Sequence, residues 1–405
     1  MDTGHEGTAH GGPLAGVRVI ETGTLVAGPF CGQLLADFGA EVIKLEDPAG
    51  GDPMRQWRTD ENGVSLWWPI ISRNKKSVTC DLRDPAGQDL LRELVGRSDV
   101  LVENFRPGTL ERWGLGYEEL QRINRRLVLV RVTGYGQTGP YAHRAGFGSV
   151  GEALGGLRYV TGEPDRPPSR TGISIGDSLA GTFAALGTVI ALFARESTGR
   201  GQVVDSAIYE AVLAMMESLL PEWEIANTRR ERSGAVLPGI APSNVYPSAD
   251  GAEVLIAANR NTVFGRLCAV MDRPDLTADP RFADHAGRGQ HAAELDAIIA
   301  EWSSALPTDE LLRRLHGGGV PGGLAYTAAD MLGDEHFAAR RAVIRLVHDK
   351  FGEFPMQNVV PKLSDTPGFL RRPGPDLGQD NDEVYSWLLR LGAHRLDHLR
   401  SQGVI

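Results

Sequence analysis

The sequence predicts an α/β protein: a doubly wound domain on a parallel sheet, then a different α+β segment, then a tail that returns. Three observations carry this. From residue 17 onward, short apolar runs alternate with helix-length stretches, the pattern of strands joined by crossover helices. After residue 225 the alternation stops, and an Arg- and Gly-rich stretch leads into a hairpin signal. At 405 residues the chain also exceeds one average domain.

Val17–Glu21 reads as a buried strand. Gly28-Pro29 then starts a helix through Phe38 that Gly39 stops, because Pro suits the first helical turn and Gly the residue after the last. Glu41–Leu45 is a second strand. The alternation continues with strand Ser77–Leu82, helix Pro85–Val95, strand Val100–Glu103, helix Tyr117–Ile123 and strand Leu127–Val132. Gly134–Gly139 spells GxGxxG, but Pro140 follows at once and no amphipathic helix opens there. A turn-rich active-site loop is expected, not a dinucleotide site. The charge-free segment Ser178–Ala194, interrupted by Gly181 and Gly187, is short for a membrane span and reads as a buried core helix. Gly199–Asp205 turns into another strand, and a helix from Ala207 should end or kink at Pro221.

Asn244–Ser248 and Glu253–Ala257 flank Asp250-Gly251, a hairpin signal, and helices are expected at Phe264–Met271, Ala293–Leu306 and Thr308–Leu315. The glycine-rich run 317–323 could cradle phosphate through backbone N–H groups, but no helix start follows, so a flexible hinge or loop is expected. The tail reads as helix Glu335–Ala342, strand Val343–His348, Pro-rich turns and helices Glu383–Leu391 and Arg395–Gln402. The expected divisions are a disordered leader at 1–12, a large domain at 13–225, a small α+β domain at 226–325 and a return to the large domain at 326–405.

Hydrophobic content of 41% and charged content of 23% suit a soluble globular chain, and a formal charge of -10 argues against a nucleic-acid partner. Cys31, Cys80 and Cys268 are too far apart in sequence for a disulfide framework or a metal cluster, which fits a reducing cytoplasm. Met1–Gly12 lacks the apolar centre of a signal peptide. His394 and His398 could share a helix face, but no further ligand accompanies them and no metal site is expected.

The chemistry concentrates at Gly172–Gly181. Ser174 lies in a GxSxG, the nucleophile-elbow pattern, and Asp177 lies between Gly176 and Ser178 at a helix start. Asp is also a favoured N-cap, because its oxygen accepts from an unpaired helix N–H. The residues alone leave both nucleophiles open.

Further motifs add to this stretch: Leu14–Glu21, Ala27-Gly28-Pro29, Leu35–Lys44, Asn74–Ser77, Glu103–Gly108, Gly134–Gly139, Gly176-Asp177, Gly199–Asp205 and Gly318–Pro321. In this order they resemble the class III CoA-transferases, of the formyl-CoA and carnitine-CoA transferase type, over nearly the whole chain. The resemblance implies a Rossmann-like large domain built from both chain ends, an inserted small domain and an interlocked homodimer. It also implies that Asp177 is the nucleophile, passing through mixed anhydrides and an aspartyl-CoA thioester, with an acyl-CoA and a small organic acid as substrates. By the same resemblance Val26, Ala27, Leu82, Arg83, Asn104, Phe105, Arg106 and Arg112 contact coenzyme A, with Arg83 and Arg112 suited to its phosphates.

The formyl-CoA transferases carry Gln where Val26 stands and a Tyr-Glu pair near Phe147-Gly148, and their glycine loop with a terminal Gln is not evident here. These departures turn the expectation away from formyl-CoA and oxalate, towards a dicarboxylate with succinyl-CoA as donor. Two alternatives stand beside it. A 2-methylacyl-CoA racemase needs a His as partner base, where this chain has Phe147 and only a displaced His143. A serine thioesterase would use Ser174 and need His and Asp partners.

Overall fold

The computed structural model describes residues 11–60 and 63–405. The expected leader lies outside the described residues up to residue 10. Gly11 and Gly12 pack on Phe38 and Gly39, and the Leu14 N–H donates to Phe38 O at 3.0 Å.

The first compact unit comprises the described residues up to Leu157 with Thr171–Leu219 and Arg341–Ile405, so the N-terminal half and the C-terminal tail both contribute to it. In chain order it begins β1 (Arg18–Glu21), α1 (Ala27–Asp37), β2 (Glu41–Glu46), α2 (Trp68–Ile71), β3 (Lys76–Thr79), α3 (Pro85–Val95) and β4 (Val100–Glu103). It continues with α4 (Thr109–Arg112), α5 (Tyr117–Ile123), β5 (Val128–Thr133) and α6 (Gly148–Leu154). The short helix α7 (Leu157–Val160) starts at the last residue of this segment and runs into the second unit, and the first unit resumes with α8 (Ile175–Thr198), β6 (Val203–Ala207) and α9 (Ile208–Leu213). The six strands pair in the order β3-β2-β1-β4-β5-β6, all parallel. This is the Rossmann order, and its reversal between β1 and β4 opens a crevice beyond the carboxyl ends of the strands.

Each face of the sheet carries its own core. On one, α3 and α5 supply Leu90, Leu91, Leu94 and Leu120, and the returning tail adds Val384, Tyr385, Leu396 and Leu399. On the other, α1, α8 and α9 supply Cys31, Leu35, Ala180, Ala184 and Ile208. The tail also seals edge strand β3. Asp380 accepts from Ser77 N at 2.8 Å, Asn381 from Thr79 N at 2.9 Å, and Tyr385 donates to Thr79 O at 2.6 Å. An edge whose N–H groups are engaged cannot recruit a foreign strand.

The second unit comprises Arg158–Arg170 and Leu220–Arg340. Its limits therefore lie outside the expected 226–325 on both sides. The hairpin forms between β7 (Ser243–Pro247) and β8 (Glu253–Ala257), with Gly251 at φ +82° in its turn. Gly322–Leu324 is strand β9, paired antiparallel to β8. This corrects the expected hinge or loop at 317–323 at both ends, since Gly317 closes a helix and only 318–321 remain a turn. A Cβ on Gly318 would strike Val270, and one on Gly322 would lie 2.7 Å from Leu315 Cδ1, so these glycines permit close packing.

In the tail, β10 (Val343–His348) pairs with β11 (Gly352–Gln357), a strand where the sequence predicts Pro-rich turns. The helix expected from Ala207 to Leu220 ends at Leu213, and Leu219–Glu224 forms a separate short helix carrying Pro221.

Candidate active site

The helix α8 begins at Ile175, and Ser174 occupies the N-cap position without a side-chain capping bond. Asp177 thus lies inside the first turn, where unpaired N–H groups favour a negative charge, and the capping role does not fall to it. Its carboxylate sits on Gly148, the first residue of α6. A Cβ at Gly148 would lie 2.7 Å from Asp177 Cγ and closer still to Oδ2. Gly176 completes the approach of the two helices: its N–H donates to Glu152 Oε1 at 3.4 Å, and a Cβ there would lie 3.0 Å from Glu152 Cγ. Asp177 is half-buried, and Glu152 is buried one turn along α6.

The Ser174 carbonyl accepts from both Ser178 N and Ser178 Oγ, at 3.1 and 3.0 Å. Among the described residues no histidine bonds to Ser174, and His143 and Phe147 are both exposed. The Gly134–Gly139 loop leaves the carboxyl end of β5. Gly136, at φ +84°, donates to Thr133 Oγ1 at 3.0 Å, and Gln137 N donates to Asp205 at 2.9 Å.

The loop from Gly23 to Val26 follows β1 and is held from three sides by polar side chains. Lys44 Nζ donates to Gly23 O at 2.7 Å. Asn104 spans the Thr24 backbone, accepting from its N–H at 2.9 Å and donating to its carbonyl at 2.7 Å. Asp52 Oδ1 accepts from Leu25 N at 3.1 Å. These bonds hold Leu25 at φ +65°, a left-handed conformation uncommon outside glycine.

Beneath the loop lies a buried charge network. Lys44 meets Glu21 at 3.0 Å and Asp52 at 2.8 Å, and Lys75 meets Glu21 at 2.9 Å. Burial alone would raise the Asp52 carboxyl, but Lys44 and the N–H groups of Met54 and Leu25 outweigh it and leave it below its ordinary value. Burial would lower Lys44, yet Asp52, Glu21 and Glu46 overcome that and raise it. Lys75 ends lowered, because burial and the Lys44 charge together exceed the pull of Glu21.

Two clefts open beside this loop. A groove of about 190 Å³ beyond the ends of β1–β3 is lined by Thr22, Thr24, Leu82, Arg83, Phe105 and Trp113. A larger cleft of about 620 Å³ is lined by Val26, Phe30, Trp67, Arg58, Ser174 and Ser178, with other apolar side chains. The expected coenzyme A contacts therefore divide. Leu82, Arg83 and Phe105 share the first groove, and Val26 lines the second cleft. Ala27 is buried in the core, and the Asn104 amide is spent on Thr24. Arg106 and Arg112 are exposed and line neither cleft. Arg83 meets Asp47 and Asp81, each at 2.8 Å, and its bond to Asp81 holds that carboxyl below the usual range. Both pairs are solvent-exposed, so a phosphate could displace them at little cost. Sequence reasoning missed Lys44, Asp52 and Gly148; the first two occupy ordinary charged positions, and the third matters only through space.

A Rossmann-order sheet, a carboxylate seated at a helix start and a groove beyond the strand ends make the architecture of an α/β enzyme, and its reaction class comes from its relatives. The chain belongs to CoA-transferase family III, whose family model matches residues 14–381. It is 56% identical over 394 residues to the succinyl-CoA–D-citramalate CoA-transferase of Chloroflexus aurantiacus, covering 97% of this chain and 98% of that one. The succinyl-CoA–L-malate CoA-transferase beta subunit of the same organism is 42% identical over 404 residues, covering 99% and 100%. Among solved structures, a CAIB/BAIF family protein from Brucella suis superimposes with a TM-score of 0.82 at 33% identity, covering 94% of this chain and 100% of that one.

Proposed function

We propose that this CoA-transferase moves coenzyme A from succinyl-CoA to a hydroxydicarboxylic acid of the citramalate type, with Asp177 as the covalent carrier. The seating of the Asp177 carboxylate against Gly148, in the first turn of α8, carries this reading. The named relatives support the choice of donor and acceptor.

An Asp177 oxygen attacks the thioester carbonyl, the C–S bond breaks, and a mixed anhydride forms as the CoA thiolate leaves. The thiolate then attacks the Asp177 carbonyl, expelling succinate and leaving an aspartyl-CoA thioester. The acceptor carboxylate attacks that thioester, giving a second anhydride and free thiolate. Attack of the thiolate on the acceptor's acyl carbon releases the new thioester and restores Asp177. Every intermediate stays activated, whereas a serine ester would lose much of the thioester's energy. Backbone N–H groups at the starts of α6 and α8 are suited to stabilise the developing oxyanions.

We also propose that the enzyme works as a homodimer, interlocked as the family resemblance implies. On α8, Leu186, Val189, Ile190 and Phe193 form an exposed stripe, with Phe193 82% exposed. The helix is long and apolar enough to cross a membrane, yet its other face packs in the core. The expectation of a fully buried helix therefore holds for one face only, and a second copy of this chain is the proposed cover for the other. Three buried free thiols suit a cytoplasmic enzyme.

The test is to incubate the enzyme with succinyl-CoA and D-citramalate and separate the CoA esters. Citramalyl-CoA and equimolar succinate are expected, and neither from Asp177→Ala. Transfer that survives in Asp177→Ala contradicts the proposal. Exchange of an acyl α-proton without transfer points to the racemase instead.

A further inference from the structure

The larger cleft joins Val26 of the first loop to Ser174 and Ser178, which bracket Asp177 on α8. Its lining is mostly apolar and includes three ionisable groups, Asp37, Arg58 and Arg73. Arg73 is spent on Asp37: Nε donates to Oδ1 at 3.0 Å and Nη2 to Oδ2 at 2.6 Å, and Nη1 donates to Gln357 O at 2.6 Å. That pair cancels in charge, so the described lining residues leave the net positive charge of Arg58. Among the described residues no carboxylate pairs with Arg58; its guanidinium lies over the Trp67 indole, 4.8 Å from the ring centroid.

The segment carrying Arg58 is anchored. Leu66 N donates to Arg58 O at 3.1 Å, and Thr59 bridges Ser65. The Ser65 hydroxyl donates to Trp57 O at 2.7 Å and accepts from Trp68 N at 3.0 Å, tying the segment to the start of α2.

Resting on the Asp177 chemistry proposed above, we infer that Arg58 is a specificity residue that receives the second carboxylate of a dicarboxylic substrate, the one remote from the reacting carbonyl. An apolar cleft whose one guanidinium has no carboxylate partner among the described residues matches a short methylene chain ending in a carboxylate. The planar fork of arginine binds that group through two parallel bonds, which lysine cannot reproduce. A monocarboxylic acyl chain of equal length would leave Arg58 without that partner.

The test compares the native enzyme with Arg58→Gln and Arg58→Lys, using succinyl-CoA and butyryl-CoA as donors to one common acceptor. Transfer by the native enzyme checks the underlying mechanism separately, and thermal unfolding checks each variant's fold. A charge-assisted hydrogen bond predicts that Arg58→Gln lowers the succinyl-over-butyryl ratio of kcat/KM by about 10- to 100-fold, chiefly through KM, with Arg58→Lys between. A native enzyme active on succinyl-CoA whose donor ratio is unchanged in Arg58→Gln overturns the inference. Equal losses on both donors overturn it as well.

Discussion

A Cβ atom on Gly148 would lie 2.7 Å from Cγ and 2.9 Å from Oδ1 of Asp177, inside any allowed contact. Two helices distant in sequence thus share one point of closure, and the absence of a side chain on one makes room for the carboxylate of the other. Gly148 does not have a positive φ, so its backbone would accept alanine.

Gly148→Ala is therefore expected to lower kcat by 100-fold or more, on the order of a one-ångström misplacement of a reacting group, with the fold retained. Circular dichroism and a transfer assay on the same sample check this. A near-native kcat would show that the Asp177 carboxylate does not need this seat.

Asn104→Ala removes both bonds to the Thr24 backbone. It is expected to cost about 1–3 kcal/mol in stability and to raise KM for acyl-CoA more than it lowers kcat, because the loop from Gly23 to Val26 borders both clefts. Urea unfolding with steady-state kinetics separates the two effects. An unaltered KM would relieve this loop of any part in substrate binding.

The buried network sets a pH dependence. Folding lowers the carboxyls of Asp52 and Glu46 below their ordinary values of 3.8 and 4.5. Their contribution to stability is complete above those values and is lost as pH falls through the lower folded ones. Asp37 and Glu103 are raised by burial and act in the opposite sense. Lys44→Met removes the charge that holds Asp52 down, so its acid destabilisation should be shallower than the native enzyme's, on a lower baseline by about 3–5 kcal/mol. Unfolding free energies at pH 6, 4 and 2.5 span that window, and curves that stay parallel down to the lowest pH would contradict it.

Phe193→Glu would put a charge on the exposed stripe of α8. Interlocked protomers cannot part without unfolding, so the variant is expected to lower the thermal midpoint and to leave aggregated or unfolded chain in place of folded dimer in sedimentation. A native enzyme that sediments as a monomer would remove the proposed cover.

Much of the fold was legible in the sequence because strands such as Val100–Glu103 and helices such as Pro85–Val95 announce themselves by local apolar runs and caps. Strand order was not legible, since pairing β1 with β4 is a long-range choice. The strand β9 escaped because two glycines hide the alternation of sides, and β11 because Pro355 reads as a breaker. In α8 the small residues disguised a two-sided helix as a wholly buried one. Asp177 stood out through its glycine frame, but its seat on Gly148 and the ties of Asp52 and Lys44 to the first loop exist only in three dimensions.

The most direct measurement is intact-protein and peptide mass spectrometry after incubation with succinyl-CoA and hydroxylamine, for the native enzyme and Asp177→Ala. Covalent transfer predicts a hydroxamate on the peptide carrying Asp177, dependent on succinyl-CoA and absent from the variant. An unmodified Asp177 in an enzyme that turns over succinyl-CoA under the same conditions would contradict it.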